Sequence, residues 1–201
     1  MEEVLTKNVH NVDLLGLTEI RAFEIGTVFL DEGEELHIVL GVRGSGGYKE
    51  KTHGQILKEG MEQVDAVFEK PLMWKVEIGI AEALLNDAIT HAPIPSQYEP
   101  LTNILSATYA SYSLYPFVSR DVALWVPEGT TAKEIETLIR AQAGSLLARV
   151  TCFDEFIKEG RVSYAFRLVF QSLEKTLTEA EIVPPMEAVT VTLQNNGFEI
   201  R

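Results

Sequence analysis

Residues Ser163–Gln171 constrain this chain more than any other stretch. Tyr164, Phe166, Leu168 and Phe170 alternate there with Ser163, Ala165, Arg167, Val169 and Gln171. A period of two puts every large apolar side chain on one face of an extended strand and the remainder on the other. Upstream, Arg120–Val126 repeats the pattern, with Val122, Leu124 and Val126 on one face and Asp121, Ala123 and Trp125 opposite. Between these strands, Thr131-x-x-Glu134 forms a capping box, and Ile135, Leu138 and Ile139 recur at helical spacing. Gly144 stands where a left-handed helix stop belongs. Leu146–Phe156 reads as a strand of poorer alternation, bulged near Phe153. Thr178-x-x-Glu181 caps a second helix, and Phe198–Arg201 closes the sheet as a short strand.

This order, βαββαβ, gives two helices for four antiparallel strands. Two helices cover one face of such a sheet and leave the other open. Trp125, Ala123, Ser163 and Arg167 all fall on the open face. An open sheet that carries an aromatic, a small residue, a hydroxyl and a guanidinium suits unstacked nucleic-acid bases. Pro184-Pro185 interrupts the second helix, and prolines in a helix interior cost about 3 kcal/mol or more each. A break or restart at Pro185 is expected, with Met186, Val189 and Leu193 packing beyond it.

Charge is distributed unevenly. The net charge is −13; residues 1–112 hold 8 Lys and Arg against 18 Asp and Glu, and residues 113–201 hold 9 against 12. The acid load therefore lies in the first half. Phosphate affinity comes from clustered Lys and Arg, so the near-neutral second half is the better RNA candidate, weak on its own and dependent on context. One cysteine, Cys152, excludes an internal disulfide and fits a reducing, cytoplasmic compartment. No apolar run reaches the roughly 20 residues that span a bilayer, and the acidic start Met1-Glu2-Glu3 is no secretory signal.

Four separated blocks carry a family resemblance: Pro116–Pro127, Cys152-Phe153-Asp154-Glu155-Phe156, Ser163–Ser172, and Lys175-Thr176-Leu177-Thr178. In that order and spacing they resemble the C-terminal anticodon-binding domain of the bacterial phenylalanyl-tRNA synthetase β subunit, over Tyr115–Arg201. The resemblance implies an α+β chain whose residues 116–201 form a ferredoxin-like domain with an open antiparallel sheet. It implies anticodon contacts at Ala123, Asp154, Phe156 and Ser163, with the aromatic stacking on the first anticodon base while Asp154 and Ser163 bond its edge. The family aromatic is often Tyr; Phe156 keeps the stacking face and loses the hydroxyl. Arg120, Arg149, Lys158, Arg161 and Arg167 are the candidate phosphate contacts. The implied partners are tRNA-Phe and the catalytic α subunit, in a heterotetramer. ATP and Mg are used by the whole synthetase and no cofactor is expected in this segment.

Residues 1–90 resemble the β-subunit core, a catalytically degenerate class II synthetase-like α+β fold, most clearly at Leu5–Val9 and Arg21–Phe29. Ile20–Phe29 followed by Leu36–Val42 reads as a hairpin around Asp31-Glu32-Gly33-Glu34. Residues 91–115, with Pro93, Pro95 and Pro100, read as a connector. The chain is expected to be a C-terminal piece of a longer subunit.

Other chemistry is sparse. Gly44-Ser45-Gly46-Gly47 lacks the Gly-Lys-Ser/Thr ending of a phosphate loop and reads as a turn. His10, His37, His53 and His91 have no metal-ligand spacing. Asp154 and Glu155 alternate onto opposite faces, poor geometry for an acid–base pair, and no nucleophile elbow is present. No catalytic residue is assigned. Besides tRNA binding, two readings stay open: an interaction scaffold for the α subunit with little RNA affinity, and a metabolite sensor or acylphosphatase-like module. For the last, Pro127-Glu128-Gly129-Thr130 lacks the required anion-binding arginine.

Overall fold

A computed structural model describes residues 1–44, 50–90, 111–158 and 160–201. The chain divides into two units, Met1–Ser106 and Ala107–Arg201.

The first unit opens with α1 (Glu2–Asn8), a 3₁₀ turn and α2 (Val12–Leu15), stopped by Gly16 in the left-handed region at φ 68°. Strands β1 (Glu19–Leu30) and β2 (Gly33–Gly44) follow as a long hairpin. Its turn is tighter than the sequence suggests. Leu30 pairs directly with Gly33, so only Asp31 and Glu32 lie outside the ladder and Glu34 belongs to β2. Helix α3 (Glu50–Asp65), β3 (Lys75–Glu77), β4 (Ile80–Leu84) and α4 (Asn86–Thr90) complete the unit, with sheet order β1-β2-β4-β3, antiparallel throughout. Leu5 and Val12 pack with Ile20 on one face of the sheet. Leu57 of α3 packs with Val42 and Ala81 on the other. Gly41 permits the close approach of α1, since a Cβ there would lie 2.7 Å from Met1 Cγ. Of the glycine-rich turn, Ser45–Gly47 lies outside the described residues, as do His91 and most of the proline-bearing connector.

His37 bridges β2 and β4. Its Nδ1 lies 2.8 Å from Glu82 Oε1 and its Nε2 lies 3.0 Å from Glu35 Oε2. The Glu35 hydrogen bond raises the imidazole above its ordinary 6.5, burial opposes this, and Glu82 adds to the rise. A folded pKa above the unfolded one stabilises fully below the unfolded value, and the contribution disappears as pH rises through the folded value. Melting temperature of the first unit is therefore expected to fall as pH rises above about 6.5. His37→Asn should flatten that slope in thermal melts across the window; an unchanged slope would count against the bridge.

The second unit follows the βαββαβ order: β5 (Val118–Val126), α5 (Ala132–Gln142), β6 (Leu147–Lys158), β7 (Arg161–Phe170), α6 (Glu179–Asn195) and β8 (Glu199–Ile200). Sheet order is β6-β7-β5-β8, all antiparallel, which is the ferredoxin-like arrangement. Val122, Leu124, Val126, Tyr164, Phe166, Leu168 and Phe170 are buried against Ile135 and Ile139 of α5 and Ile182, Val189 and Leu193 of α6. Both capping boxes form. Thr131 N and Oγ1 donate to Glu134 at 2.8 and 2.9 Å, and Thr178 N and Oγ1 donate to Glu181 at 3.0 and 2.8 Å. Lys175 Nζ also reaches Glu181 at 2.6 Å, and these contacts, Lys175 first, lower its carboxyl to about 2. Gly144, at φ 75°, ends α5.

The proline pair does not break α6, contrary to expectation. The helix runs unbroken from Glu179 to Asn195 through Pro184 and Pro185. The pair removes the donors for the carbonyls of Ala180 and Glu181, but Ala180 and Pro184 are exposed, so water can bond there. Ile182 before the prolines, and Met186, Val189 and Leu193 after them, all pack into the one core. Burial on both sides of the pair holds the segment in a single helix.

Candidate nucleic-acid interface

Strand register assembles the open face in rows. Trp125 of β5 pairs with Ser163 of β7, which pairs with Phe156 of β6. In the next row of that face, Ala123 pairs with Ala165, which pairs with Asp154. Asp121, Arg167 and Thr151 form the third row, and Ser119, Val169 and Arg149 the fourth. Ala123, Asp154, Phe156 and Ser163, distant in sequence, therefore occupy two adjacent rows on one surface. A bulge makes this possible: the register slips between Cys152 and Asp154. Without the extra residue, Phe153, uninterrupted alternation from Thr151 would turn Asp154 and Phe156 to the helix side. Glu155, opposite Tyr164, does point to that side.

The four positions differ in access. Phe156 is 49% exposed and meets Trp125 edge-on, ring centroids 6.2 Å apart at 60°. Asp154 is exposed, and Ala123 is partly exposed. Ser163 is only 3% exposed, and its hydroxyl accepts from Arg201 Nη1 at 3.3 Å. Arg201 stands beside Ala123, whose carbonyl accepts its backbone N–H at 2.7 Å, and its guanidinium lies 5.5 Å from the Trp125 ring. Arg161 approaches the same ring at 5.1 Å and pairs with Glu199. Trp125 stands on the open face as its alternation predicts, and Arg201 joins it there without having been singled out from sequence. The sequence places Arg201 only within the closing strand; its position opposite Ala123 comes from the pairing register.

The candidate phosphate contacts separate by face. Arg149, Lys158, Arg161 and Arg167 lie on the open side. Arg120, opposite Leu168, lies on the helix side and pairs with Glu179 of α6. With Arg201, the cations on the open side of the strands outnumber their carboxylates, Asp121, Asp154 and Glu199. A unit of slight negative charge thus has a locally basic surface, the kind that attracts a phosphate backbone. Removing one guanidinium from Trp125 should cost about 0.5–1 kcal/mol. Arg201→Ala is therefore expected to lower stability by that amount and to raise acrylamide quenching of Trp125, measured with Trp74 replaced by Phe. Unchanged quenching would place Arg201 away from the ring.

Among the described residues, no group of three His, Cys, Asp or Glu is placed to hold a metal, and no helix is long and apolar enough to cross a membrane.

An open antiparallel sheet backed by two helices, with aromatic, carboxylate, hydroxyl and guanidinium groups on its free face, defines an α+β module of the ferredoxin-like class. A family model described as the ferredoxin-fold anticodon binding domain matches residues 113–201, and that part of the chain has the ferredoxin-like fold. Through it the chain is related to phenylalanine–tRNA ligase β subunits. It is 38% identical to that of Synechococcus elongatus over 89 residues (42% of this chain, 11% of that protein) and 40% identical to that of Symbiobacterium thermophilum over 99 residues (47% and 11%). To that of Bacillus subtilis it is 32% identical over 123 residues (59% and 15%), a match longer than the domain. The chain spans 11–15% of the length of these relatives. The match begins at residue 113, where Ser113 and Tyr115 are tied to the domain: Ser113 Oγ donates to the Ser172 carbonyl at 2.5 Å and Gln171 Nε2 to the Tyr115 carbonyl at 2.8 Å.

Proposed function

We propose that this chain is a tRNA-binding, non-catalytic part of a phenylalanine–tRNA ligase, and that its open sheet holds the anticodon stem–loop of tRNA-Phe. The observation that carries this is the meeting of Ala123, Asp154, Phe156 and Ser163 in adjacent rows of one surface. Phe156 offers a flat face for a base, Asp154 accepts from the base edge, Ser163 bonds it once Arg201 gives way, and Ala123 leaves space for the ring. The surrounding cations attract the backbone. Chemistry on ATP, with Mg, belongs to the catalytic α subunit, and the setting is cytoplasmic.

Binding of the chain to the tRNA-Phe anticodon stem–loop at low salt, beside a loop with its first anticodon base changed, tests this. Preference for the matched loop supports base reading; equal binding that vanishes with salt reduces it to phosphate attraction. A second reading, docking onto the α subunit, is favoured by the hairpin, where Phe23, Ile25 and Phe29 stand exposed along one side of β1. Such a stripe marks an interaction surface. Co-purification with the α subunit in the absence of RNA binding would select that reading.

A further inference from the structure

Two features of the open face lie beyond the four anticodon positions. Phe153, the bulge residue, is 52% exposed although large and apolar. Arg167 lies with its guanidinium carbon 5.0 Å from the centre of the Phe153 ring. The Arg167 fork is committed to a carboxylate across the sheet: Nε donates to Asp121 Oδ1 at 2.8 Å and Nη2 to Asp121 Oδ2 at 2.7 Å. A guanidinium clamped side-on in this way has its charge largely balanced and its plane fixed. That is poor preparation for a phosphate and good preparation for stacking, because a flat, weakly hydrated cation held in one orientation loses little freedom when a ring settles on it.

We propose that Phe153 and Arg167 form a second nucleobase-stacking platform for single-stranded RNA, separate from the Phe156 position and indifferent to base identity. The inference rests on the reading that the open sheet faces RNA. Arg167 follows Ser163 by four residues on β7, which sets the platform about 13 Å along the strand from the Phe156 row. Both places lie on the same face, so one unstacked strand can lie across them. Every base has a π-face, so a stacking platform adds affinity without reading sequence. Arg149, in the row beyond Arg167, adds a cation at that end of the path.

Binding of the full chain to two probes, the tRNA-Phe anticodon stem–loop and a short oligouridylate, tests the platform. Phe153→Ala is expected to weaken both by about 5- to 150-fold, with the slope of log affinity against log salt unchanged, because no phosphate contact is lost. Phe153→Leu, which keeps apolar bulk without the ring, should behave in the same way and guards against a folding artefact. Asp121→Asn discriminates further. Freeing Arg167 adds a positive charge to the face, yet on this proposal oligouridylate binding does not tighten, because the guanidinium plane is no longer held. Tighter binding with a steeper salt slope would make Arg167 a phosphate contact and overturn the platform. Undiminished binding by folded Phe153→Ala, or no wild-type binding to either probe, would overturn it as well. Failure to discriminate between anticodon loops, with oligouridylate binding still sensitive to Phe153, would instead defeat the anticodon reading and leave the platform standing.

Discussion

Replacing Tyr164 by alanine is expected to destabilise the second unit by about 3–5 kcal/mol, as for other large buried aromatics. Tyr164 is buried between the sheet and its helices, its ring centroid 6.3 Å from that of Phe166. Its hydroxyl reaches the Thr130 carbonyl at 3.4 Å, a weak link between β7 and the turn before α5. Truncation would empty the ring's volume and release that link. Domains of this size unfold with stabilities of about 5–15 kcal/mol, so the loss removes a large share of the total. For a domain of fewer than 100 residues it corresponds to a fall in melting temperature of at least about 12 °C. Urea titration followed by Trp125 fluorescence, with Trp74 changed to Phe, isolates this unit from the first. Val191→Ala, on the exposed side of α6, should change stability by no more than about 0.5 kcal/mol and serves as the control. A Tyr164→Ala curve close to wild type would mean that the buried and open faces have been exchanged.

Phe156→Ala is expected to weaken anticodon stem–loop binding by about 1–3 kcal/mol, the worth of one stacked base, with the domain still folded. Phe156 is half exposed, and its main aromatic partner is Trp125, an edge contact worth about 0.5–1.5 kcal/mol. Stability should therefore fall by no more than that, while affinity falls as much or more. Phe156→Tyr keeps the ring and adds a hydroxyl that can bond a base or phosphate, and should bind at least as tightly as wild type. Calorimetric titration beside a thermal melt for each variant separates the two effects. Collapse of the fold in Phe156→Ala would contradict its position on the open face. Full affinity in a folded variant would remove it from the interface.

Much of this could be read along the chain. The alternation in Arg120–Val126 and Ser163–Gln171 assigns Val122, Leu124, Phe166 and Leu168 to the core, and Ala123, Trp125 and Arg167 to the free face. The two Thr-x-x-Glu boxes start the helices where they are found. These signals are local: a side chain's face follows from backbone periodicity within a few residues, and a cap needs only the turn that it closes. Proline was misleading because its cost is also local. The burial of Ile182, Val189 and Leu193 that outweighs it is contributed by strands far away in sequence.

Local pattern was thus enough to say which residues face inward, where the helices begin, and that one side of a four-stranded sheet is left open. Which side chains become neighbours on that side came from the packed fold. The bulge near Phe153, expected from the broken alternation, turns Asp154 and Phe156 outward; the fold alone brought Arg201 over Ser163 and clamped Arg167 onto Asp121. Both contacts depend on register between strands separated by tens of residues. A one-residue slip in pairing exchanges the faces while leaving the local pattern of either strand unchanged.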